Sequence, residues 1–182
     1  VKRAQISHNA SVCIVGTGAI GLLAGQWAKI LGAGWVVIKG RREAKRQIVQ
    51  RCGLEYAANF RAGEEFDCVI EAVGSAQALE ESLILTAPGG RLVLMGNPDG
   101  QRTLSQDLYW RILRKQLTLI GTWNSSYGNA DSDWTETVQA MADGRLQTDA
   151  FVTHILRDTE LMDGLAFMRD HSEDFCKVTI KF

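Results

Sequence analysis

The sequence predicts an α/β fold, a doubly wound parallel sheet with helices on both faces. Three observations carry that expectation. Val12–Val15 is an unbroken apolar run, as a strand buried on both faces requires, and Gly16, Gly18 and Gly21 follow it as Gly-x-Gly-x-x-Gly. A helix-period stretch begins directly after those glycines, with Ile20, Leu23, Ala24, Trp27 and Leu31 on one face and Gly32 as its stop. Short apolar runs then alternate with helical stretches, the pattern of a parallel sheet built from crossover units.

The elements follow in order. Val1–Ala10 has no strong period and reads as a lead-in segment. Val12–Val15 is the first strand, Ala19–Leu31 the first helix and Trp35–Lys39 the second strand. Glu43–Cys52 is helical, because Ala44, Ile48 and Cys52 recur at spacing four, and Gly53 stops it. Tyr56–Asn59 is a short third strand. Asp67–Val73 is the fourth, closed by Gly74, and Ser75 is placed to cap a helix running to about Thr86. Pro88-Gly89-Gly90 ends that helix and turns the chain into a fifth strand, Arg91–Met95, that stops at Gly96. A polar loop with Pro98, Asp99 and Gly100 leads to a helix at Ser105–Leu113 and a sixth strand at Leu117–Thr122. Asn124–Asp131 is loop, and Asp133–Asp143 is helical, stopped by Gly144. Two halves of three strands predict the order 3-2-1-4-5-6, with a ligand crevice above the first and fourth strands.

Beyond Leu146 the texture changes. Phe151–His154 is extended, Asp158–Arg169 is an amphipathic helix with Asp158 as its cap, and Lys177–Phe182 alternates like a half-exposed strand. A six-stranded unit needs no further strand. Residues 1–150 are therefore assigned to a dinucleotide-binding domain and 151–182 to a segment of a second domain.

Composition narrows the function classes. With 46% hydrophobic and 23% charged residues over 182 positions, the chain can bury a sizeable core as one domain, or one domain plus a fragment. A net charge of −1 argues against a general nucleic-acid or membrane binder. No apolar run approaches a membrane span, and no signal-peptide pattern opens the chain. Cys13, Cys52, Cys68 and Cys176 form no Cys-x-x-Cys pair, and free thiols in apolar strands fit a reducing cytoplasm. The start at Val1, without methionine, hints at a piece of something longer.

The glycine pattern, placed between strand and helix, is a dinucleotide-binding fingerprint. Gly16 permits the tight turn, Gly18 admits a pyrophosphate to the backbone, and Gly21 lets helix and strand pack closely. The N–H groups of Ala19 and Ile20 then face the anion at the helix start, with Thr17 between the first two glycines. The acid that usually binds the adenosine ribose at the end of the second strand is replaced by Gly40, and no Asp or Glu occurs between Leu22 and Arg42. Five basic residues against one acid occupy Lys39–Arg46. A carboxylate there would repel a 2′-phosphate. Gly40 leaves room, and Arg41 can form paired charged hydrogen bonds to it. The cofactor expected is NADP, in preference to NAD.

Other candidates are weaker. Glu71, near the end of the fourth strand, is placed to orient backbone or to touch ribose. His8, His154 and His171 are scattered and read as non-ligands. Gly74, Gly96 and Gly121 end strands on one sheet edge, where a ligand would approach the backbone. Trp123, beside the sixth strand's end, is the tryptophan placed nearest a cofactor. Tyr56, Tyr109 and Tyr127 are each followed four residues on by Phe60, Leu113 and Asp131, so the Tyr-x-x-x-Lys pair of short-chain dehydrogenases is missing. Gly40 also speaks against a methyltransferase, which usually keeps an acid there.

Four stretches together resemble the cofactor domain of zinc-dependent medium-chain alcohol and polyol dehydrogenases: Val12–Gly21, Ile70–Gly74, Ala87–Arg91 leading to Leu94-Met95-Gly96, and Ile112–Trp123. The last, with Asn124 after it, looks most like the sorbitol and galactitol-1-phosphate 5-dehydrogenase branch. The resemblance covers nearly the whole chain. It implies a Rossmann domain in which Gly16, Thr17, Gly18, Ala19, Ile20 and Gly21 hold the pyrophosphate. Gly40, Arg41 and Arg42 would face the ribose, Ala72 and Val73 would line its pocket, and backbone at Met95, Gly96, Thr122 and Asn124 would grip the nicotinamide. Lys177 stands where the family often has a basic residue near the pyrophosphate. The resemblance further implies a small-molecule substrate, a dimer, and zinc bound in an N-terminal domain, whose Gly-His-Glu motif and four-cysteine lobe this chain lacks. No catalytic or metal-ligating residue is assigned within the chain. The branch usually prefers NAD, so Gly40-Arg41-Arg42 is a departure. Two other functions stay open at this point: a non-catalytic NADP-binding sensor or regulatory module, and a zinc-free quinone reductase of the same superfamily.

Overall fold

The computed structural model describes residues 1–98, 100–126, 132–170, 172 and 174–182. Asp99, His171 and the Tyr127–Asp131 part of the expected loop lie outside the described residues. Six strands, β1 (Ser11–Val15), β2 (Trp35–Lys39), β3 (Glu55–Ala57), β4 (Phe66–Glu71), β5 (Thr86–Leu94) and β6 (Thr118–Gly121), form one sheet in the order β3-β2-β1-β4-β5-β6. Every neighbouring pair is parallel. Ile14 of the central strand lies between Ile38 of β2 and Ile70 of β4. Strand alternation sends Val12 and Ile14 to one face, under α1 (Ala19–Ile30) and α2 (Arg46–Arg51), and Cys13 and Val15 to the other, under α3 (Ala76–Leu85) and α4 (Gln106–Lys115). Burial on both faces is what the unbroken apolar run of β1 encodes.

Two helices are phased differently from the sequence expectation. The buried face of α1 carries Gly21, Leu22, Ala24, Gly25 and Ala28, while Ile20 is exposed. Small residues let the helix approach the sheet: a Cβ on Gly25 would lie 2.8 Å from Ile38 Cδ1. The second helix begins as a 3₁₀ turn at Glu43–Lys45, and its buried residues are Lys45, Val49 and Cys52, with Ala44 exposed.

The Pro88-Gly89-Gly90 turn lies inside β5, not before it. Phe66 pairs with Thr86 and Cys68 with Arg91, so Ala87–Gly90 bulges out of the ladder. A bulge is where a strand tolerates proline, which has no N–H to give the sheet. Ser75 and Ser105 cap α3 and α4, accepting from Ala78 N at 3.1 Å and Leu108 N at 3.3 Å. At the opposite edge of the sheet, Asp67 accepts from both the N–H and the hydroxyl of Ser11 at 2.8 Å. Those donors hold its carboxyl below the usual range.

After α5 (Asp133–Ala142), Ala150 and Phe151 return to the core that Val12 and Ile14 form with α1 and α2, and the Gln26 amide exchanges two hydrogen bonds with the backbone of Gln147. The tail then forms a separate parallel pair, β7 (Val152–Arg157) and β8 (Lys177–Lys181), joined through α6 (Leu161–Asp170). Gly164 seats α6 on Leu156. Asp158 does not cap this helix; it opens a 3₁₀ turn, and Glu160 accepts from the Arg157 N–H at 2.8 Å instead. Ile155, Met162 and Leu165 are exposed.

Candidate functional site

β1, β2 and β4 end on one sheet edge, where an open cleft of about 380 Å³ lies between them. Val15–Gly18 come from the first strand–helix turn, and Lys39–Arg42 with Lys45 from the end of β2 and the turn after it. Ala72, Val73, Ser75, Gln77, Ala78 and Glu81 come from the end of β4 and from α3, and Phe175 and Cys176 from the tail.

The three fingerprint glycines differ in what they make possible. Gly16 sits at φ +131°, and a Cβ there would press on Val73 Cγ2 at 3.0 Å. A Cβ on Gly21 would stand 2.2 Å from the Gly16 carbonyl oxygen, so helix and turn touch only because that position has no side chain. At Gly18 a Cβ would meet no atom within 4 Å. Gly18 is also the N-cap of α1, which has no side-chain cap and no acid in its first turn. Open space beside an uncapped helix start is what an anion needs.

Gly40 has another role than leaving room for a ligand. It is buried, and the space of its missing Cβ is taken by Thr17 Cγ2 at 2.5 Å and Tyr56 Cε2 at 2.6 Å. The Tyr56 hydroxyl donates to Gly40 O at 3.2 Å, the Arg46 guanidinium lies 4.7 Å from its ring, and burial pushes the phenol upward.

Four cations and one carboxylate line the cleft. Lys39 pairs with Glu81 at 3.3 Å. Arg42 Nη1 lies 3.5 Å from Asp174, and Lys45 pairs with the same carboxylate and donates to Phe175 O. Arg41 donates to the neutral amide oxygen of Gln77 at 3.1 Å and has no carboxylate partner among the described residues. The Cys176 thiol is pushed up by burial and drawn back by Lys45 and Lys177.

Of the residues expected at the site, Gly16, Thr17, Gly18, Gly40, Arg41, Arg42, Ala72 and Val73 line this cleft. Ala19, Ile20 and Gly21 form the first turn of α1 beside it. Met95, Gly96, Thr122 and Asn124 follow β5 and β6 on the same sheet edge, outside the cleft; Lys177 opens β8, exposed and also outside it. Trp123 is exposed. Glu71 is buried and orients backbone: its carboxylate accepts from Val73 N and Gly74 N, each at 2.7 Å, and its carbonyl from Met95 N and Gly96 N. Gly74 and Gly96 answer to each other, since a Cβ on Gly96 would fall 2.1 Å from Gly74 N. Close backbone packing, not ligand approach, requires them. Lys45, Gln77 and the tail residues were not singled out by the sequence. Lys45 carried a signal, being part of the basic run, whereas nothing local marks Gln77 or Cys176.

Among the described residues no group of three or more His, Cys, Asp or Glu side chains is placed to hold a metal ion, and no helix is long and apolar enough to cross a membrane.

Residues 19–143 match the family model described as zinc-binding dehydrogenase. L-threonine 3-dehydrogenase of Pyrococcus horikoshii is 28% identical over 156 residues, 79% of this chain and 43% of that protein. Galactitol 1-phosphate 5-dehydrogenase of Escherichia coli K12 is 27% identical over 164 residues, 83% of this chain and 47% of that protein. The crystal structure of galactitol-1-phosphate dehydrogenase from Escherichia coli superposes with a TM-score of 0.84 at 24% identity, covering 97% of this chain and 55% of that one. The chain thus spans about half the length of the curated relatives it matches.

Proposed function

The chain belongs to the zinc-binding dehydrogenase family, and from that premise we propose that it is the cofactor-holding part of an oxidoreductase. The whole enzyme transfers a hydride between NADP(H) and a secondary alcohol or ketone, a polyol, sugar or sugar phosphate. The nicotinamide supplies the hydride chemistry, and the residues of this chain bind and orient it. Gly18 and the N–H groups of Ala19 and Ile20 receive the pyrophosphate. Ala72 and Val73 flank the adenosine, and Arg41 and Arg42 take its 2′-phosphate. The edge formed by Met95, Gly96, Thr122 and Asn124 positions the nicotinamide, and Lys177 adds positive charge near the pyrophosphate. The relative named for galactitol 1-phosphate supports the polyol-phosphate class of substrate.

The carrying observation is one cleft that joins the open, uncapped start of α1 to four cations. Arg41 is the cation most easily recruited, because it gives up only a neutral amide. The exposed Ile155, Met162 and Leu165 support a tail, residues 151–182, that packs within a second domain, and zinc belongs in this reading to that domain. The free side of the edge strand β6, with Leu119 exposed, supports a homodimer.

Titration with NADPH and NADH, followed by nicotinamide fluorescence, tests the reading. NADPH binds the more tightly. Arg41→Ala weakens NADPH roughly tenfold or more, the worth of one charged hydrogen bond, and leaves NADH nearly unchanged. Equal losses for the two nucleotides would refute the assignment.

A further inference from the structure

Two of the cleft's cations already hold an anion of the chain itself. Asp174 Oδ1 lies 3.5 Å from Arg42 Nη1 and 3.7 Å from Lys45 Nζ. The next carbonyl, Phe175 O, accepts from Lys45 Nζ, and Cys176 Sγ lies 4.0 Å from Thr17 O. The segment Asp174–Cys176 is therefore laid against the adenosine side of the cleft. We propose that Asp174 is a built-in competitor for the 2′-phosphate, and so a specificity-determining residue of the nucleotide site, an inference that rests on the NADP(H) reading above.

The geometry favours exchange over a permanent lock. Both ion-pair distances are long, and the Asp174 side chain is 47% exposed, so the contact is weak and readily broken. Lys45 differs, with a side chain only 8% exposed. A buried ammonium needs a partner in every state. Asp174 and Phe175 O serve it when the cleft is empty. A nucleotide with a free 2′-hydroxyl brings no new anion, and Asp174 stays. A 2′-phosphate brings nearly two negative charges and three acceptor oxygens. It then shares Arg42 and Lys45 with a carboxylate that repels it, and Asp174 must withdraw. The cost of that withdrawal falls on the phosphorylated nucleotide alone.

Calorimetric titration of the protein with adenosine 2′,5′-bisphosphate and with 5′-AMP separates the outcomes. Asp174→Asn tightens the bisphosphate by roughly three- to tenfold, as loss of one exposed charge contact allows, and leaves 5′-AMP unchanged. Asp174→Glu keeps wild-type selectivity, and unchanged 5′-AMP binding shows that both variants are folded. An equal shift for both ligands, no shift, or weaker 5′-AMP binding overturns the proposal; the last makes Asp174 a ribose acceptor. If the wild type discriminates and Asp174→Asn discriminates no better, only this inference falls. If neither protein prefers the bisphosphate, the NADP(H) reading falls and takes the inference with it.

Discussion

Gly18→Ala separates binding from folding at a single methyl group. The residue has φ −77° and ψ 172°, which alanine adopts without strain, and its Cβ would meet no atom within 4 Å. The folded state therefore loses no packing; the unfolded chain loses backbone freedom, worth about 0.4–1 kcal/mol, and the poorer N-capping of alanine offsets a similar amount. For a chain of this size the melting temperature then stays within roughly 2–4 °C of the wild type. The methyl nevertheless stands in the space assigned to the pyrophosphate. Lifting the phosphate off one N–H donor forfeits a charged hydrogen bond, about 1.5–3 kcal/mol, which is at least tenfold in affinity. The assay pairs thermal unfolding without ligand with fluorescence titration by NADPH. The expected result is a variant whose melting temperature stays within that margin, with binding reduced tenfold or more. Unchanged binding would place the pyrophosphate elsewhere, and a melting temperature lowered beyond that margin would mean that the space beside Gly18 is filled.

Three further outcomes follow from the same geometry. Gly21→Ala does the opposite: its Cβ would lie 2.2 Å from the Gly16 carbonyl oxygen, a backbone atom. Overpacking there costs about 1–3 kcal/mol, read as a lower urea midpoint. Stability also falls at both ends of the pH scale. The Asp67 carboxyl is held down by Ser11, so its contribution is present above the unfolded value of about 3.9 and is lost as pH falls through the folded one. Cys52 and Cys68 are pushed by burial up to about 11, so stability declines as pH rises above the unfolded thiol value of about 8.5. Urea midpoints measured across pH check both arms, and Ser11→Ala, which removes the hydroxyl but keeps the N–H donor, flattens the acid one in part. Finally, Cys176 is half-buried where the other three thiols are buried, and it lines the cleft. Iodoacetamide should label Cys176 first, and saturating NADPH should slow that labelling; labelling indifferent to nucleotide would put the tail outside the bound complex.

The strand order and the position of the cleft were legible because both follow from local signals. Apolar runs ending in glycine mark the strands, and the spacing of Gly16, Gly18 and Gly21 marks the first turn. Helix phase was less legible. α1 meets the sheet through Gly21, Ala24, Gly25 and Ala28 together with Leu22, while Ile20 is exposed. A search for large side chains at helical spacing therefore selects a stripe that shares Ala24 but misses the glycines, since close approach rewards small residues beside Leu22. Lys45 shows the same limit. Its burial on the second helix depends on Asp174 and Phe175, more than a hundred positions away, and no periodicity reports such a partner.

Gly40 gives the sharpest lesson about charge. The missing acid and the following arginines were read together as room made for a phosphate, but the room is occupied by Thr17 and Tyr56. Glycine is required there by packing, so its presence says little about which nucleotide binds. The weight of the electrostatic argument then falls on the side chains themselves. Lys39 pairs with Glu81, and Arg42 and Lys45 pair with Asp174, which leaves Arg41 as the cation of the cleft with no carboxylate partner among the described residues. In the proposed reading, selectivity for a 2′-phosphate depends on two quantities that can be varied separately, the Arg41 guanidinium, held by the Gln77 amide, and the hold of Asp174 on its two neighbours. If Arg41→Ala and Asp174→Asn are combined, the second should recover part of the NADPH affinity lost through the first, while NADH binding stays where it was.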